Sequence, residues 1–352
     1  MSISNKKMSI SNKTDIIMKH YSNLNKDLWD DFVINKSRNG TIFHERNFLE
    51  YHPEDRFKDT SLIFYKNNTN PLIIEAVFPS VLLKKNNISI LSSHPGSSYG
   101  GLIFSLSTNT KQLYDIIELI IEHARELNAD KIEIKLPEQI IFSDPPDQEF
   151  SFLLWHRGFK LKTRELSSAI FLQSEIPLSK LSKKTYSWSL NKAKENNIKI
   201  SYDIPVEKVY PLIEANLKNR FEKLPTHSFS ELIDLKKRYN KRIKLWTALK
   251  DNIPIAVVVI FEANKIAVHD FYISQNYEFS KMQPLYLIFD SIFNYYKNQS
   301  FKWFNFGIST RENWIKWGIL NFKEGLGGRG LIRETWILDD INFPKPDDSN
   351  II

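Results

Sequence analysis

The chain has 352 residues and no cysteine. That excludes disulfides, thiolate metal sites and a cysteine nucleophile, and it is compatible with a reducing compartment. No window approaches the roughly 18 consecutive apolar residues of a membrane span, and the amino terminus lacks the continuous apolar stretch of a secretory signal. Charge of one dominant sign is missing too. The 48 Lys and Arg are interspersed with 41 Asp and Glu, for a net charge of +7, so the basic excess is a weak pointer to nucleic acid. With 42% hydrophobic residues the chain is long enough for two globular domains. A soluble, cytoplasmic protein is expected.

The segment Met1-Ser2-Ile3-Ser4-Asn5-Lys6-Lys7 is repeated almost unchanged from Met8, and this polar stretch reads as a disordered tail over residues 1–13. Helical spacing of Leu24, Leu28, Trp29, Phe32 and Val33 predicts a first helix. Short apolar runs at 61–65, 72–78, 81–84, 88–91 and 102–104 predict a meander, followed by a helix over 111–127 and a strand over 131–136. A short helix is expected over 150–156 and a strand over 167–172. The second half repeats this programme. A basic helix over 180–196, a strand over 198–202 and helices over 206–220 and 229–239 precede a meander at 243–250, 254–261 and 266–274. A helix over 284–296 and a strand over 303–306 follow. The expected fold class is therefore α+β, built twice, with mixed, mostly antiparallel sheets flanked by helices. The halves are placed at 14–165 and 166–345, with a tail at 346–352, and a cleft between them would suit a substrate.

Glycine is scarce, 11 in all, yet four fall in Gly325-Leu326-Gly327-Gly328-Arg329-Gly330. This string satisfies the dinucleotide fingerprint literally, but a predicted helix precedes it and an extended segment follows, the reverse of a βαβ unit. Ahead of it runs Phe304-Asn305-Phe306-Gly307-Ile308-Ser309, an apolar strand opening onto a loop, and then Phe322-Lys323. Positive charge beside mobile backbone suits an anion or a developing oxyanion. The loop Ser93-His94-Pro95-Gly96-Ser97-Ser98-Tyr99-Gly100-Gly101 is dense in small polar groups able to grip a polar ligand. His269-Asp270-Phe271-Tyr272 lies on a predicted strand, where alternation puts His269 with Phe271 and Asp270 with Tyr272. His269 or Asp270 is a candidate proton acceptor. Histidine spacing matches no metal motif, so no metal is expected. Lys183, Lys184, Lys192 and Lys194 read as a solvated face, with a phosphate-binding surface as the alternative.

Taken together, Lys192-Ala193-Lys194, the strand exit Ile132-Glu133-Ile134-Lys135-Leu136-Pro137, the exit at Phe304 to Ser309 and the pair Phe322-Lys323 resemble the FemAB-like branch of the GNAT acyltransferases. The resemblance covers roughly residues 25–340. It implies two tandem GNAT-like domains that move an acyl or aminoacyl group to an amine, with Lys323 near the reacting carbonyl. Lys323, by the resemblance, and His269 or Asp270, as proton acceptor read from their strand, are the candidate catalytic residues. Phe322, Gly325, Gly327, Gly328, Arg329 and Lys281 are the candidates for binding the acyl donor. Ser93, His94, Gly96, Tyr99, Gly100, Lys135, Asn305, Gly307 and Ser309 are the candidates for binding the acceptor.

The sequence departs from the GNAT pattern where a glycine-rich loop would face the CoA pyrophosphate, since Ser280-Lys281-Met282-Gln283-Pro284 has no glycine. The helical hairpin that peptidoglycan-bridge enzymes use for tRNA is not evident between residues 202 and 242, which favours acyl-CoA over aminoacyl-tRNA. The expected function is transfer of an acyl group, acetyl first among them, from acyl-CoA as co-substrate to an amino group of a sugar or a cell-envelope or polysaccharide precursor. The expected partner is a small-molecule amine, a nucleotide-linked amino sugar among the options. An aminoacyl-tRNA-dependent FemX-like transferase and a non-catalytic binding module are the alternatives.

Overall fold

The computed structural model describes residues 15–143, 147–202 and 204–344. The expected tails, 1–13 and 346–352, lie outside the described residues. The first half supplies β1 (Ile16–His20), β2 (Leu62–Lys66), β3 (Ile74–Phe78), β4 (Val81–Lys85), β5 (Ile88–Ser92), β6 (Ile103–Phe104) and β7 (Lys131–Lys135). Its helices are α1 (Lys26–Asp31), α2 (Arg46–Leu49), α3 (Thr110–Glu126) and α4 (Glu149–His156). The second half supplies β8 (Lys160–Phe171), β9 (Lys199–Ser201), β10 (Ile243–Lys250), β11 (Ile253–Glu262), β12 (Ala267–Gln275) and β13 (Trp303–Ile308). A hairpin of β14 (Thr310–Arg311) and β15 (Trp314–Ile315) precedes the last strand, β16 (Arg329–Leu338). Its helices are α5 (Leu178–Leu181), α6 (Thr185–Glu195), α7 (Val206–Phe221), α8 (Phe229–Arg238), α9 (Pro284–Asn298) and α10 (Trp317–Gly325).

The α+β class holds, but the first meander is divided between two sheets. β1-β2-β3-β6 form a small antiparallel sheet, whereas β4 and β5 join a ten-stranded sheet ordered β4-β5-β7-β16-β8-β13-β12-β11-β10-β9. Pro79 marks the division because it has no N–H for a ladder, and Ser80 beside it is turned inward by hydrogen bonds to Thr60 and Ser61. The basic helix expected over 180–196 is likewise broken into α5 and α6.

Two pairings in the large sheet are parallel, β5 with β7 and β12 with β13. Each is reached through an amphipathic crossover helix. α3 starts on an Asn109–Gln112 capping box and buries Leu113, Ile116, Ile117, Ile120, Ile121 and Ala124. α9 has Pro284 at its first turn, where no N–H is needed, and buries Ile288, Phe289, Ile292, Phe293 and Tyr296. At about 1.5–3 kcal/mol per fully buried large apolar side chain, these faces seat the helices. The last strand of the chain joins the halves: β16 lies between β7 of the first half and β8, and β8 in turn lies against β13. A shared core locks the halves further, since Ile42, Phe43, Phe48 and Tyr51 pack with Val257, Val259 and Phe261.

Candidate active site

β12 and β13 run parallel for only three residue pairs, Ala267 with Trp303, Val268 with Phe304 and His269 with Asn305. Beyond that point they part. Two local features cause the separation. In β12 Ile260 opposes Asp270 while Val259 opposes Tyr272, so Phe271 is an extra, bulged residue. In β13 Gly307 takes φ of +70°, which only glycine adopts without strain, and its N–H is held by Asn305 Oδ1 at 2.8 Å.

The bulge corrects the alternation expected from sequence. Tyr272 does not share a face with Asp270; it lies with Phe271 against His227, at ring-centroid distances of 5.9 and 4.7 Å. Asp270 shares the face of Ile260, toward α9, while Ser274 pairs with Val257, toward α7. A cavity of about 750 Å³ opens where the strands diverge. It passes from Asn216 and Arg220 of α7 to Leu285, Phe306, Trp317 and Phe322 beside α9 and α10.

Asp270 and Lys323 both line this cavity. Asp270 is buried, and among the described residues neither of its carboxylate oxygens has a hydrogen-bond partner; the Ser274 hydroxyl has none there either. Burial raises the Asp270 carboxyl well above the usual carboxylate range, and the Lys323 ammonium restrains that rise. Burial lowers Lys323, and Asp270 opposes the fall. The Lys323 Nζ donates to the carbonyl oxygens of Gly307 and Ile308, each at 2.7 Å, leaving one of its three N–H groups for another acceptor. α10 positions this lysine, and Phe322 beside it meets the Phe289 ring at 5.9 Å.

His269 is turned away from the cavity. Its Nδ1 lies 3.3 Å from Tyr99 Oη, and burial depresses it to about 4. Asn305 Nδ2 donates to Tyr99 Oη at 2.8 Å while its Oδ1 accepts from Ser167 and Gly307. His269, Asn305 and Tyr99 therefore form a buried support behind Gly307.

The remaining residues singled out in the sequence fall elsewhere. Ser93, His94, Gly96, Tyr99, Gly100 and Lys135 do not line the cavity. The polar groups of Ser93, Lys135 and Gly96 are used internally: Ser93 Oγ accepts from the Lys135 N–H, Lys135 Nζ donates to the Ser97 carbonyl at 2.6 Å, and the Gly96 carbonyl faces His52. His94 is buried, and its Nδ1 has no hydrogen-bond partner among the described residues. Gly100 packs so tightly on Ser93 that a methyl group would overlap its carbonyl oxygen. Ser309 is buried with its hydroxyl unpartnered, outside the lining. The glycine string is a helix stop rather than a donor loop. Gly327, at φ of +97°, donates to the Glu324 carbonyl and Gly328 donates to the Lys323 carbonyl, a Schellman end to α10. Gly325 faces Lys183 and Tyr286, and Arg329 ties this turn to the Leu181 carbonyl. Lys281 is exposed before α9, outside the lining.

Residues not anticipated include Ser274, Asn216, Arg220 and Trp317. Strand position placed Ser274 near Asp270, but its face depended on the bulge. Asn216 and Arg220 come from a helix that approaches only on folding.

No protein-family model and no curated protein matches the sequence. Solved structures do. FemX superposes with a TM-score of 0.68 at 11% identity over 91% of this chain and 96% of its own. L-PGS from Bacillus licheniformis gives 0.56 at 12% identity over 90% of this chain and 91% of its own. A tandem GNAT protein from the clavulanic acid biosynthesis pathway gives 0.53 at 9% identity over 95% of this chain and 100% of its own. The chain has the FemAB-like, tandem GNAT fold. Within that fold the parted strands β12 and β13 belong to the second GNAT-like half. No helix among the described residues is long and apolar enough to cross a membrane.

Proposed function

We propose that the protein is an N-acyltransferase whose reaction takes place in the wedge between β12 and β13. The observation that carries this reading is the unpartnered, buried Asp270 beside Lys323 in a cavity open toward both faces of the sheet. Such an opening lets two substrates meet from opposite sides, the donor along the apolar wall of Phe306, Ile319 and Phe322 and the amine from the side of α7. The amine nitrogen attacks the acyl carbonyl and a C–N bond forms. Asp270, its affinity for protons raised by burial, takes the proton released from that nitrogen. The third N–H of Lys323 meets the oxyanion, a contact of a kind worth about 3 kcal/mol. When the carbonyl re-forms, the C–S bond of a thioester breaks and the proton held by Asp270 goes to the departing sulfur. Acyl-CoA is the donor in this reading, and the acceptor is an amino group of a sugar or envelope precursor.

The fold-level likeness to FemX favours one second reading, an aminoacyl ester of tRNA as donor, with an alcohol rather than a thiol departing. Because the chain has no cysteine, thiol release reports on CoA without background. Purified protein with acetyl-CoA and a panel of amino sugars should release thiol in an amine-dependent manner. No release with any amine, together with no CoA binding by calorimetry, overturns the thioester reading. RNase-sensitive transfer from charged tRNA would put the second in its place.

A further inference from the structure

A different cluster lies outside the proposed active site, at the contact of β1 with α3. Strand alternation turns Ile16 and Met18 toward the core around α3, and His20 follows them onto that face. Lys19 points the other way, its ammonium 5.5 Å from the Tyr65 ring centroid, so it places no positive charge on the His20 side. In the last turn of α3, His123 and Glu126 are three positions apart and share the face that meets His20.

His123 is fully buried. Its Nε2 lies 3.1 Å from the Thr60 carbonyl oxygen, which only accepts, so the proton of the neutral ring sits on Nε2 and the Nδ1 lone pair is exposed to the cluster. That Nδ1 has no hydrogen-bond partner among the described residues. Glu126 Oε2 is 3.8 Å from it, and the His20 ring stands edge-on to the His123 ring with 4.9 Å between ring centroids. Ligand atoms of all three residues lie within 4.8 Å of one another. A buried lone pair with nothing to accept is unfavourable. The backbone bond on the opposite ring nitrogen is the arrangement that fixes a metal-ligating histidine.

We propose that His20, His123 and Glu126 bind a divalent transition-metal ion of the zinc class, with His123 ligating through Nδ1 and water completing a tetrahedron. Two imidazoles and a carboxylate match this metal's preference, and its bonds of about 2.0–2.2 Å require the ligands to draw together. His123 is the fixed ligand. His20 and Glu126 are exposed and swing inward, so the ion ties the amino-terminal strand to the end of α3. The sequence carries no metal spacing because one ligand comes from the first strand and two from a distant helix.

The test uses the untagged full chain, stripped with chelator and titrated with Zn²⁺ by calorimetry and with Co²⁺ by visible absorption. One equivalent should bind, the Co²⁺ spectrum should be of the tetrahedral kind and be erased by Zn²⁺, and Tm should climb with free metal. His20→Ala and Glu126→Gln alter exposed side chains and keep the fold. Each should weaken binding by at least the ~10- to 100-fold that losing a supporting partner costs. His156→Ala, away from the cluster, should bind as the parent does. Absence of binding by the parent chain, or unchanged affinity in both ligand variants, overturns the proposal.

Discussion

The two halves carry the same device in opposite states. In each, a strand runs parallel to another for three residue pairs across a helical crossover and then parts from it: β5 from β7 after Ser92 and Glu133, β12 from β13 after His269 and Asn305. In the first half the chain fills its own wedge. The loop from Ser93 to Gly101 follows β5 directly, Lys135 is consumed by the Ser97 carbonyl, and the Tyr99 ring is fully buried. In the second half β12 is followed by a turn into α9, no such loop enters, and the space is a cavity with an unpartnered carboxylate. Parted parallel strands create room; the segment that follows the first strand decides whether the room is closed or available for substrate.

The sharpest way to break this comparison is Asp270→Asn. If the open wedge is catalytic, transfer should fall by about 10²- to 10⁴-fold, the usual contribution of a positioned base, while Tm holds or rises because a buried ionisable group has gone. Wild-type rates would remove Asp270 from the mechanism. In the parent chain the rate should decline as pH falls through the raised pKa of this carboxyl, well above the ordinary carboxylate range. Lys323→Ala should cost about 10²- to 10³-fold in kcat and also lower Tm, since the Gly307 and Ile308 carbonyls lose their donor. An unchanged kcat would make the lysine purely structural.

Acid should act on the buried histidines of both halves. Burial depresses His44 and His94 to about 3, and His227 and His269 to about 4. Each lies below its unfolded value, so the unfolded chain binds more protons. The stability concerned is present above about pH 6.5 and is lost as pH falls toward 4, at up to ~1.4 kcal/mol per pH unit for each group. Urea midpoints measured from about pH 8 down to pH 5 should fall throughout the lower part of that range; a flat profile contradicts the assignment. Smaller effects belong to the filled wedge. Gly100→Ala should destabilise by about 1–3 kcal/mol through its overlap with the Ser93 carbonyl, with kcat retained in whatever remains folded. Tyr99→Phe should cost about 1–2 kcal/mol by leaving Asn305 Nδ2 without its acceptor. A large kcat loss in Gly100→Ala would join the first wedge to catalysis and undo the contrast.

Much of the element order was legible because the periodicities are strong. α3, α7, α8, α9 and the strands β10 to β13 lie close to where apolar spacing placed them. The Phe322-Lys323 pair and the Gly307 exit also stood out, since charge and glycine in apolar surroundings are rare, and Phe322 and Lys323 do line the cavity. The Ser93 to Gly101 loop was not. Small polar residues look alike whether they face a ligand or their own backbone, and only the partners of Ser93, Gly96 and Lys135 distinguish the cases. The glycines after Lys323 were similarly ambiguous, because a helix stop and an anion loop draw on the same conformational freedom.

By itself the sequence determined a repeated α+β programme, the exclusion of thiol chemistry, and a lysine with aromatic company near the carboxyl end. Those properties are local, set by residue type and by spacings of two or about 3.6. Tertiary structure alone decided that β16 inserts between β7 and β8, that a bulge at Phe271 sends Asp270 and Ser274 to opposite faces, and that one wedge is filled while the other stays open. Each of these depends on which distant segment arrives at a given strand, and local pattern carries no record of that.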